Sequence, residues 1–375
     1  MSFCISRLLK NSQDTQAAQK GADARQATEQ MRLFQQLVRR GTALGYPRCG
    51  YQTQGSILLY VVWAVVILSV FASSVGSQAL FALNLSERLS DELQAEYIAR
   101  GATHYAALTL QRDTTPSFDG LNDVWVNPSS GFHQHPLAGG WFTIKDTSHS
   151  GEDQRYGLAD EERRINLNTA PIEVLQELME IIGALSPEEA TAISQAIGDW
   201  RDEDDQQRPL GAEGFYYRSL RKAYDCKNGP FENVEELLLV KGLSRELYRS
   251  LEPYVTVYGS GRMNLNTASP VVLRTLGLSE AGVRGILDFR QGEDQQDRTE
   301  DDRPLSSLGA IESELKSYVP QEDIVRLMRL SQEFLTIRSE AFRMEIEAAY
   351  GGPSGHVQGI CIIDRQGRVK LWSVL

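Results

Sequence analysis

Residues 56–72 read SILLYVVWAVVILSVFA, and this run decides how the N-terminal part of the chain folds. No charged residue occurs between Arg48 and Glu87, so the uncharged stretch continues to Leu85. About 20 mainly apolar residues let a helix cross a bilayer, where the absence of water forces the backbone to hydrogen-bond within the helix. The run therefore predicts a membrane-spanning helix over residues 56–85.

The charge is distributed unevenly on either side of this run. The 375-residue chain has a net charge of −12, with +5 in residues 1–55 and −17 in residues 56–375. The positive-inside rule predicts that the basic N-terminus is cytoplasmic and the acidic body lies across the membrane. A secretory signal peptide cleaved within 72–76 and a buried core helix are the alternatives.

Gly55 directly precedes the apolar run, which resembles the layout of a prepilin leader cut after the glycine. Ser56 would then be the first mature residue, and Tyr60 stands fifth, where such proteins usually carry Glu. Residues 84–109 keep apolar side chains at helical spacing, including Leu85, Leu89, Leu93 and Tyr97. The spacing predicts that the helix continues beyond the membrane as an amphipathic segment.

An internal repeat follows. Residues 164–175 read RINLNTAPIEVL and residues 262–273 read RMNLNTASPVVL, so the segment Asn-Leu-Asn-Thr-Ala recurs at a spacing of 98. Further matches occur in the same order, which predicts a duplicated unit. They pair DWR at 199–201 with DFR at 288–290, and RPL at 208–210 with RPL at 303–305.

Each unit is predicted to consist of short helices. Asn168 and Thr169 are candidate caps of one helix, Ser186-Pro187 begins the next, and Gly242-Leu243-Ser244 forms a turn between two more. This is a helix-hairpin-helix pattern. Such units often bind DNA phosphates, but this turn lacks the usual second glycine and the body is strongly acidic. Because phosphate contact needs local positive charge, a structural or protein-binding use is favoured and no nucleic acid is expected.

The loop RDEDDQQRPLGAE, residues 201–213, is dense in acids. Asp202, Asp204 and Glu213 are candidate Ca²⁺ ligands, because Ca²⁺ prefers several oxygen ligands on a flexible loop. Gln207 stands where an EF-hand needs glycine, so the loop would be of another type, and a solvated acidic turn is the alternative. The corresponding loop at 293–302 is a weaker candidate.

Period-2 patterns predict short strands on both sides of the repeats, which would come together in one sheet. Cys226 and Cys361 permit one disulfide without requiring it. No nucleophile, base and orienting group assemble in the sequence, so no enzyme is predicted. The predicted strands are 141–146, 155–160, 254–258, 334–339, 342–347, 357–364 and 369–374.

Taken together, residues 48–375 resemble the general secretion pathway protein K family, the large minor pseudopilins of type II secretion systems. The paired Asn-Leu-Asn-Thr-Ala segments carry most of the resemblance, with Gly55, DWRD at 199–202, GAE at 211–213 and VEELLLVKG at 234–242. The family implies an α+β, pilin-like fold with a long N-terminal transmembrane helix and an antiparallel sheet. It also implies two inserted all-α helix-hairpin-helix (SAM-like) domains.

The resemblance also implies cleavage after Gly55 by the prepilin peptidase and N-methylation of Ser56. It implies a single-pass inner-membrane protein with a periplasmic C-terminal part, at the tip of a pseudopilus. The implied partners are the minor pseudopilins I and J and the major pseudopilin, and the family's calcium would fall on Asp202, Asp204 and Glu213. A membrane-anchored helix-hairpin-helix receptor for DNA uptake is the alternative function.

These inferences predict six segments. They are a basic leader (1–55), a transmembrane helix (56–85), the pseudopilin helix with the first strands (86–162), two helix-hairpin-helix domains (163–254 and 255–330) and the C-terminal strands (331–375).

Overall fold

The computed structural model describes residues 56–126, 131–146, 155–352 and 355–375. The strands are β1 (His135–Leu137), β2 (Gly140–Lys145), β3 (Ala159–Asp160), β4 (Ile165–Asn166), β5 (Val255–Thr256), β6 (Met263–Asn264), β7 (Leu335–Thr336), β8 (Ala341–Ala349), β9 (His356–Asp364) and β10 (Val369–Val374). The α-helices are α1 (Ser56–Gln111), α2 (Ile172–Gly183), α3 (Pro187–Arg201), α4 (Gly214–Arg218), α5 (Arg245–Leu251), α6 (Pro270–Arg274), α7 (Glu280–Arg290), α8 (Ile311–Leu315) and α9 (Gln321–Ser331).

The predicted apolar helix is present as the N-terminal part of α1. Every side chain from 57 to 79 is exposed, including Trp63 and Phe71. An apolar segment with its side chains uncovered suits a lipid environment, because the backbone hydrogen bonds are all made within the helix. Among the described residues, this helix alone is long and apolar enough to cross a membrane.

The main sheet is antiparallel, with strand order β1-β2-β8-β9-β10 and with β3 also paired to β8. Alternate residues of β8 are buried, among them Phe342, Met344 and Ile346. They belong to one apolar cluster with Ile98 and Ala102 of α1. The C-terminal part of α1 therefore packs on the sheet, and the pilin-like part of the predicted fold is confirmed.

Two predicted strands lie elsewhere. The segments at 254–258 and 334–339 do not join the main sheet but form two-residue parallel pairs, β4 with β5 and β6 with β7. Each pair brings together the beginning and the end of one repeat. A third predicted strand, 155–160, is shortened to β3, because Gly157 has a φ of +136° and interrupts the extended backbone.

The Asn-Leu-Asn-Thr-Ala segments bond in the same way in both repeats. The Asn168 side chain accepts from the Phe231 N–H at 2.7 Å and donates to its carbonyl at 3.0 Å. The Asn266 side chain does the same with Leu305, at 2.8 and 3.0 Å. The predicted capping role is therefore wrong: α2 begins after Pro171 without a side-chain cap, since the Asn168 amide is committed to a distant loop.

Other helix boundaries match the sequence. Ser186 and Glu189 form a reciprocal capping box at the start of α3. Gly242 adopts a φ of +87°, and the hydroxyl of Ser244 accepts from the Leu247 N–H at the start of α5. The buried apolar side chains of both repeats, from Ile165 to Ile337, form one contiguous cluster. The division into two helix-hairpin-helix domains stays a prediction.

Candidate functional site

Two helix ends bring the predicted calcium ligands together. Asp202 directly follows α3, Asp204 lies two residues further on, and Glu213 directly precedes α4. One carboxylate oxygen from each lies within 4.8 Å of the others. Glu213 is buried, Asp202 is half-buried and Asp204 is exposed. A cation could therefore enter from solvent past the exposed Asp204 and be bound on its buried side by Glu213.

The hydrogen bonding of these carboxylates is incomplete. Both oxygens of Glu213 and the Oδ1 atom of Asp202 are buried without a hydrogen-bond partner in the described part of the chain. A buried carboxylate oxygen that lacks a partner costs free energy unless a cation or proton neutralises it. The donor set is made only of carboxylates, which are hard oxygen ligands of the kind Ca²⁺ prefers. The residues therefore fit a calcium ion.

Electrostatics support the same conclusion. Burial, together with nearby acids of which Asp199 is foremost, raises the pKa of Glu213 to about 7. The Arg208 side chain lies at the edge of the group and bonds to Asp199 and to Asp202, both at 2.6 Å. These bonds raise the pKa of Arg208. Arg208 thus neutralises two of the acids, while Glu213 has no basic partner among the described residues.

The acids of the second loop do not gather in this way. Asp301 accepts from the Thr299 hydroxyl at 2.7 Å and from the backbone N–H groups of Asp294 and Glu293 at 3.1 and 2.7 Å. These bonds, that of Thr299 first, lower the pKa of Asp301 to about 2. Asp302 accepts from the Arg298 N–H at 2.7 Å. Because backbone donors already satisfy these carboxylates, loop 293–302 forms no group of three converging acids.

A second group of acids was not predicted. Asp113, Asp119 and Asp123 each place a carboxylate oxygen within 4.8 Å of the others. Arg365, in the turn between β9 and β10, bonds to both Asp113 and Asp119, and the Ser339 N–H donates to Asp119. The group therefore works as an internal ion-pair cluster that ties the loop after α1 to the C-terminal strands. No spacing signal marks it, because Arg365 lies more than 240 residues away.

The remaining predicted sites are placed as follows. Gly55 lies outside the described residues, and Ser56 is the first residue of α1. Cys226 and Cys361 are both free thiols, and Cys361 is fully buried in β9, where it packs as a small apolar side chain. Burial raises the pKa of each thiol to about 12.

The second repeat contains a hairpin, Gly277-Leu278-Ser279, ahead of α7. The N–H and the hydroxyl of Ser279 both donate to Asp323, at 3.1 and 2.5 Å. Asp323 is itself buried, at 4% exposure. Helix N-termini attract anions, and here a carboxylate of the same chain holds the position that a phosphate would need. No local pattern predicts this contact, because Asp323 is 44 residues away from Ser279.

Comparison with known proteins is consistent with this architecture. Residues 153–260 match the family described as type II secretion system (T2SS), protein K, and this segment contains the candidate calcium ligands. Type II secretion system protein K of Klebsiella pneumoniae is 27% identical over 232 residues, covering 59% of this chain and 68% of that protein. The Pseudomonas aeruginosa protein of the same name is 26% identical over 266 residues, covering 68% and 78%.

The fold also has a relative among solved structures. A chain in the crystal structure of the GspK-GspI-GspJ complex from enterotoxigenic Escherichia coli aligns with a TM-score of 0.53 at 18% identity, covering 80% of this chain and 97% of that one. A long N-terminal helix with an exposed apolar first part, whose C-terminal part packs on an antiparallel sheet, agrees with these relatives and supports a minor pseudopilin of type II secretion. The chain is similar to members of the type II secretion system protein K family over the matched part of its length.

Proposed function

We propose that this protein sits at the tip of the periplasmic pseudopilus and aids export of folded proteins across the outer membrane. The observation that carries the proposal is the chain path between β3 and β8. These strands are paired neighbours in the sheet, yet residues 161–340 lie between them and contain helices α2 to α9. A body of that size, added to one pilin-like unit, would obstruct a further subunit stacked upon it.

Tyr60 supports the same position. A subunit inside a pilus needs a charge near the start of its helix to pair with the N-terminus of its neighbour, and a tyrosine supplies none. Tyr60 is exposed on α1 and makes no ion pair within the described residues. The proposed partners are the minor pseudopilins I and J, which would join this chain at the tip, and the major pseudopilin below them. The solved complex contains the I and J proteins beside its own K chain.

Labelled pseudopili test the position. Antibody against residues 163–330 should mark one end of each filament, and marking along the whole length would refute the tip assignment. The Y60E variant should appear along the filament more often than wild type, whereas Y60Q, which adds polarity without charge, should not.

Processing is proposed to follow the prepilin route, in which the prepilin peptidase cuts after Gly55 and Ser56 is N-methylated. The exposed apolar helix would remain in the inner membrane with the acidic body in the periplasm. N-terminal sequencing of the membrane-bound protein should start at Ser56. A start near residues 75–77 would instead mean a cleaved secretory signal and would overturn the membrane-anchored proposal.

We also propose that Ca²⁺ binds Asp202, Asp204 and Glu213. The support is the buried, unpartnered state of Glu213 and of one Asp202 oxygen. When bound, the ion would supply positive charge that joins the end of α3 to the start of α4. Titration of the EDTA-treated full chain with CaCl₂ in detergent should show binding that D202N and E213Q abolish and that E203Q, an exposed acid of the same loop, leaves unchanged.

A role in DNA uptake is not proposed. Asp323 occupies the hairpin before α7, and the described body carries excess negative charge, so a duplex would meet repulsion where a helix-hairpin-helix protein needs attraction. A gel shift of the full chain in detergent with duplex DNA at physiological salt should show no retarded band. A tight, salt-sensitive complex would favour the DNA receptor over the pseudopilin assignment.

A further inference from the structure

A cavity of about 440 Å³ lies between the second repeat and the chain segment that precedes the first repeat. Its size falls within the range of small-ligand pockets. Four arginines line it (Arg155, Arg163, Arg290 and Arg298), and Asp297 is the lining acid. In a body with a net charge of −17, such a concentration of positive charge in one cavity is unexpected.

Two of these arginines, Arg163 and Arg290, form no ion pair with a described acid, although Asp146 attracts the first and Asp297 the second at longer range. Arg290 is 6% exposed, and one of its terminal nitrogens donates to the Ala268 carbonyl at 2.7 Å. Its Nε–H is buried with no hydrogen-bond partner, and no described carboxylate lies within ion-pair distance of it. The half-buried guanidinium of Arg163 makes no hydrogen bond or ion pair with any described residue. Arg298, in contrast, is paired with Asp146.

A buried guanidinium group without an ion-pair partner destabilises the fold, because the free energy of removing its charge from water is not offset by a nearby negative charge. Burial lowers the pKa of both arginines, and that of Arg290 falls to about 10. At that pKa the Arg290 guanidinium is still charged at neutral pH. Arg290 also has a counterpart in the first repeat, because Arg201 donates to the Leu167 and Ala170 carbonyls. A bond from this arginine to the alanine carbonyl of the Asn-Leu-Asn-Thr-Ala segment is thus common to both repeats. That bond uses a terminal nitrogen, so it does not satisfy the buried Nε–H of Arg290.

We propose that this cavity binds an oxyanion, a carboxylate or phosphate group, between Arg163 and Arg290. Arginine is suited to this task because its planar fork of donors matches the geometry of both anions. The apolar parts of Leu121, Tyr254 and Leu287 form the rest of the wall. They favour an anion attached to an apolar body, such as a glutamate next to a phenylalanine. The ligand has two possible sources, a free anion or an acidic side chain of a neighbouring subunit.

Two probes distinguish the sources, both titrated calorimetrically into the full chain in detergent. Inorganic phosphate represents the free anion, and the capped dipeptide N-acetyl-Glu-Phe-amide represents the side chain. Tighter binding of the dipeptide assigns the site to a neighbouring subunit, and tighter binding of phosphate assigns it to a free ion. If neither probe binds at concentrations up to about 50 mM, the proposal is wrong.

Variants locate the binding. R163Q should weaken the better probe about tenfold or more, because a charge-assisted hydrogen bond is lost. Since Arg163 makes no hydrogen bond or ion pair with the described part of the chain, R163Q should fold normally, which circular dichroism can check. R155Q, which removes another arginine of the cavity wall, is the second variant. R284Q removes an exposed arginine of the same helix as Arg290 and should leave binding unchanged. Equal weakening by R284Q and R163Q would show that the probes respond to general charge and would overturn the proposal.

Discussion

Replacing Glu213 by Gln should change how the stability of the cation-free protein depends on pH. The pKa of Glu213 is raised from 4.5 to about 7 in the folded protein, so the folded state holds this proton more tightly than the unfolded state. The wild-type protein should therefore lose stability as pH rises from about 4.5 to about 7 and lose no more above that. At about 1.4 kcal/mol for each pKa unit, a shift from 4.5 to about 7 amounts to a loss of about 3–4 kcal/mol.

The E213Q variant carries a neutral side chain of nearly the same shape, so it should lack this loss. The unfolding free energy of E213Q minus that of wild type, measured in EDTA, should therefore be about 3–4 kcal/mol larger at pH 8 than at pH 4.5. Denaturant unfolding in detergent gives these values, and the fluorescence of Trp200, buried at the end of α3, reports locally. E203Q is the matched control, because Glu203 is exposed in the same loop.

Calcium should reverse the effect in wild type alone. A cation that binds only the folded state stabilises it by about 2.7 kcal/mol at a concentration 100 times its Kd. Binding also displaces the Glu213 proton, so calcium affinity should rise with pH up to about 7. The reasoning fails if E213Q shows the same pH slope as wild type in EDTA, or if calcium stabilises E213Q as much as wild type.

Three further predictions concern the fold. N266A should lower the unfolding free energy by about 2 kcal/mol, because it leaves the N–H and carbonyl of Leu305 buried without their partner. An unchanged denaturation midpoint would show that the Asn266 side chain does not stabilise the Leu305 loop. L265A should lower the unfolding free energy by about 3 kcal/mol in the same assay, since Leu265 is fully buried in the shared core. L239A, which truncates a partly exposed leucine, is the control, and a smaller cost for L265A than for L239A would argue against one contiguous cluster. R365A should cost about 3 kcal/mol by leaving Asp119 buried without its cation, and D119N should then recover part of it; no recovery would mean that the arginine acts through packing instead.

Much of the fold was predictable because it depends on local patterns. The apolar run needs no partner to become a helix in a membrane, and the period-2 segments of β2, β8, β9 and β10 carry their own strand signal. The helix start at Ser186-Pro187 is also a local signal, and its prediction is confirmed; the structure adds that Ser186 and Glu189 form a capping box there. The duplicated Asn-Leu-Asn-Thr-Ala segment revealed the repeat, although the role of its asparagines was predicted wrongly.

The errors share one physical origin, which is the competition between local and distant partners. Asn168 is a good helix cap by itself, but the Phe231 backbone 63 residues away offers it two hydrogen bonds. The segments at 254–258 and 334–339 read as strands of one sheet, but each finds a parallel partner at the start of its own repeat. A sequence pattern indicates which local structures a segment favours, but it does not identify the distant partner that the segment bonds to in the folded protein.

The amino-acid sequence by itself determined the apolar N-terminal helix, the asymmetry of charge, the repeat and the three candidate calcium ligands. Only the tertiary structure decided that the first acidic loop leaves carboxylate oxygens unpartnered while backbone donors satisfy the second. It also decided that Asp323 accepts from the hairpin before α7, that Arg365 pairs with Asp113 and Asp119, and that Arg163 and Arg290 line a cavity without forming an ion pair with a described acid. Hydrogen bonding and desolvation depend on which groups meet after folding, and the order of residues along the chain does not contain those distances.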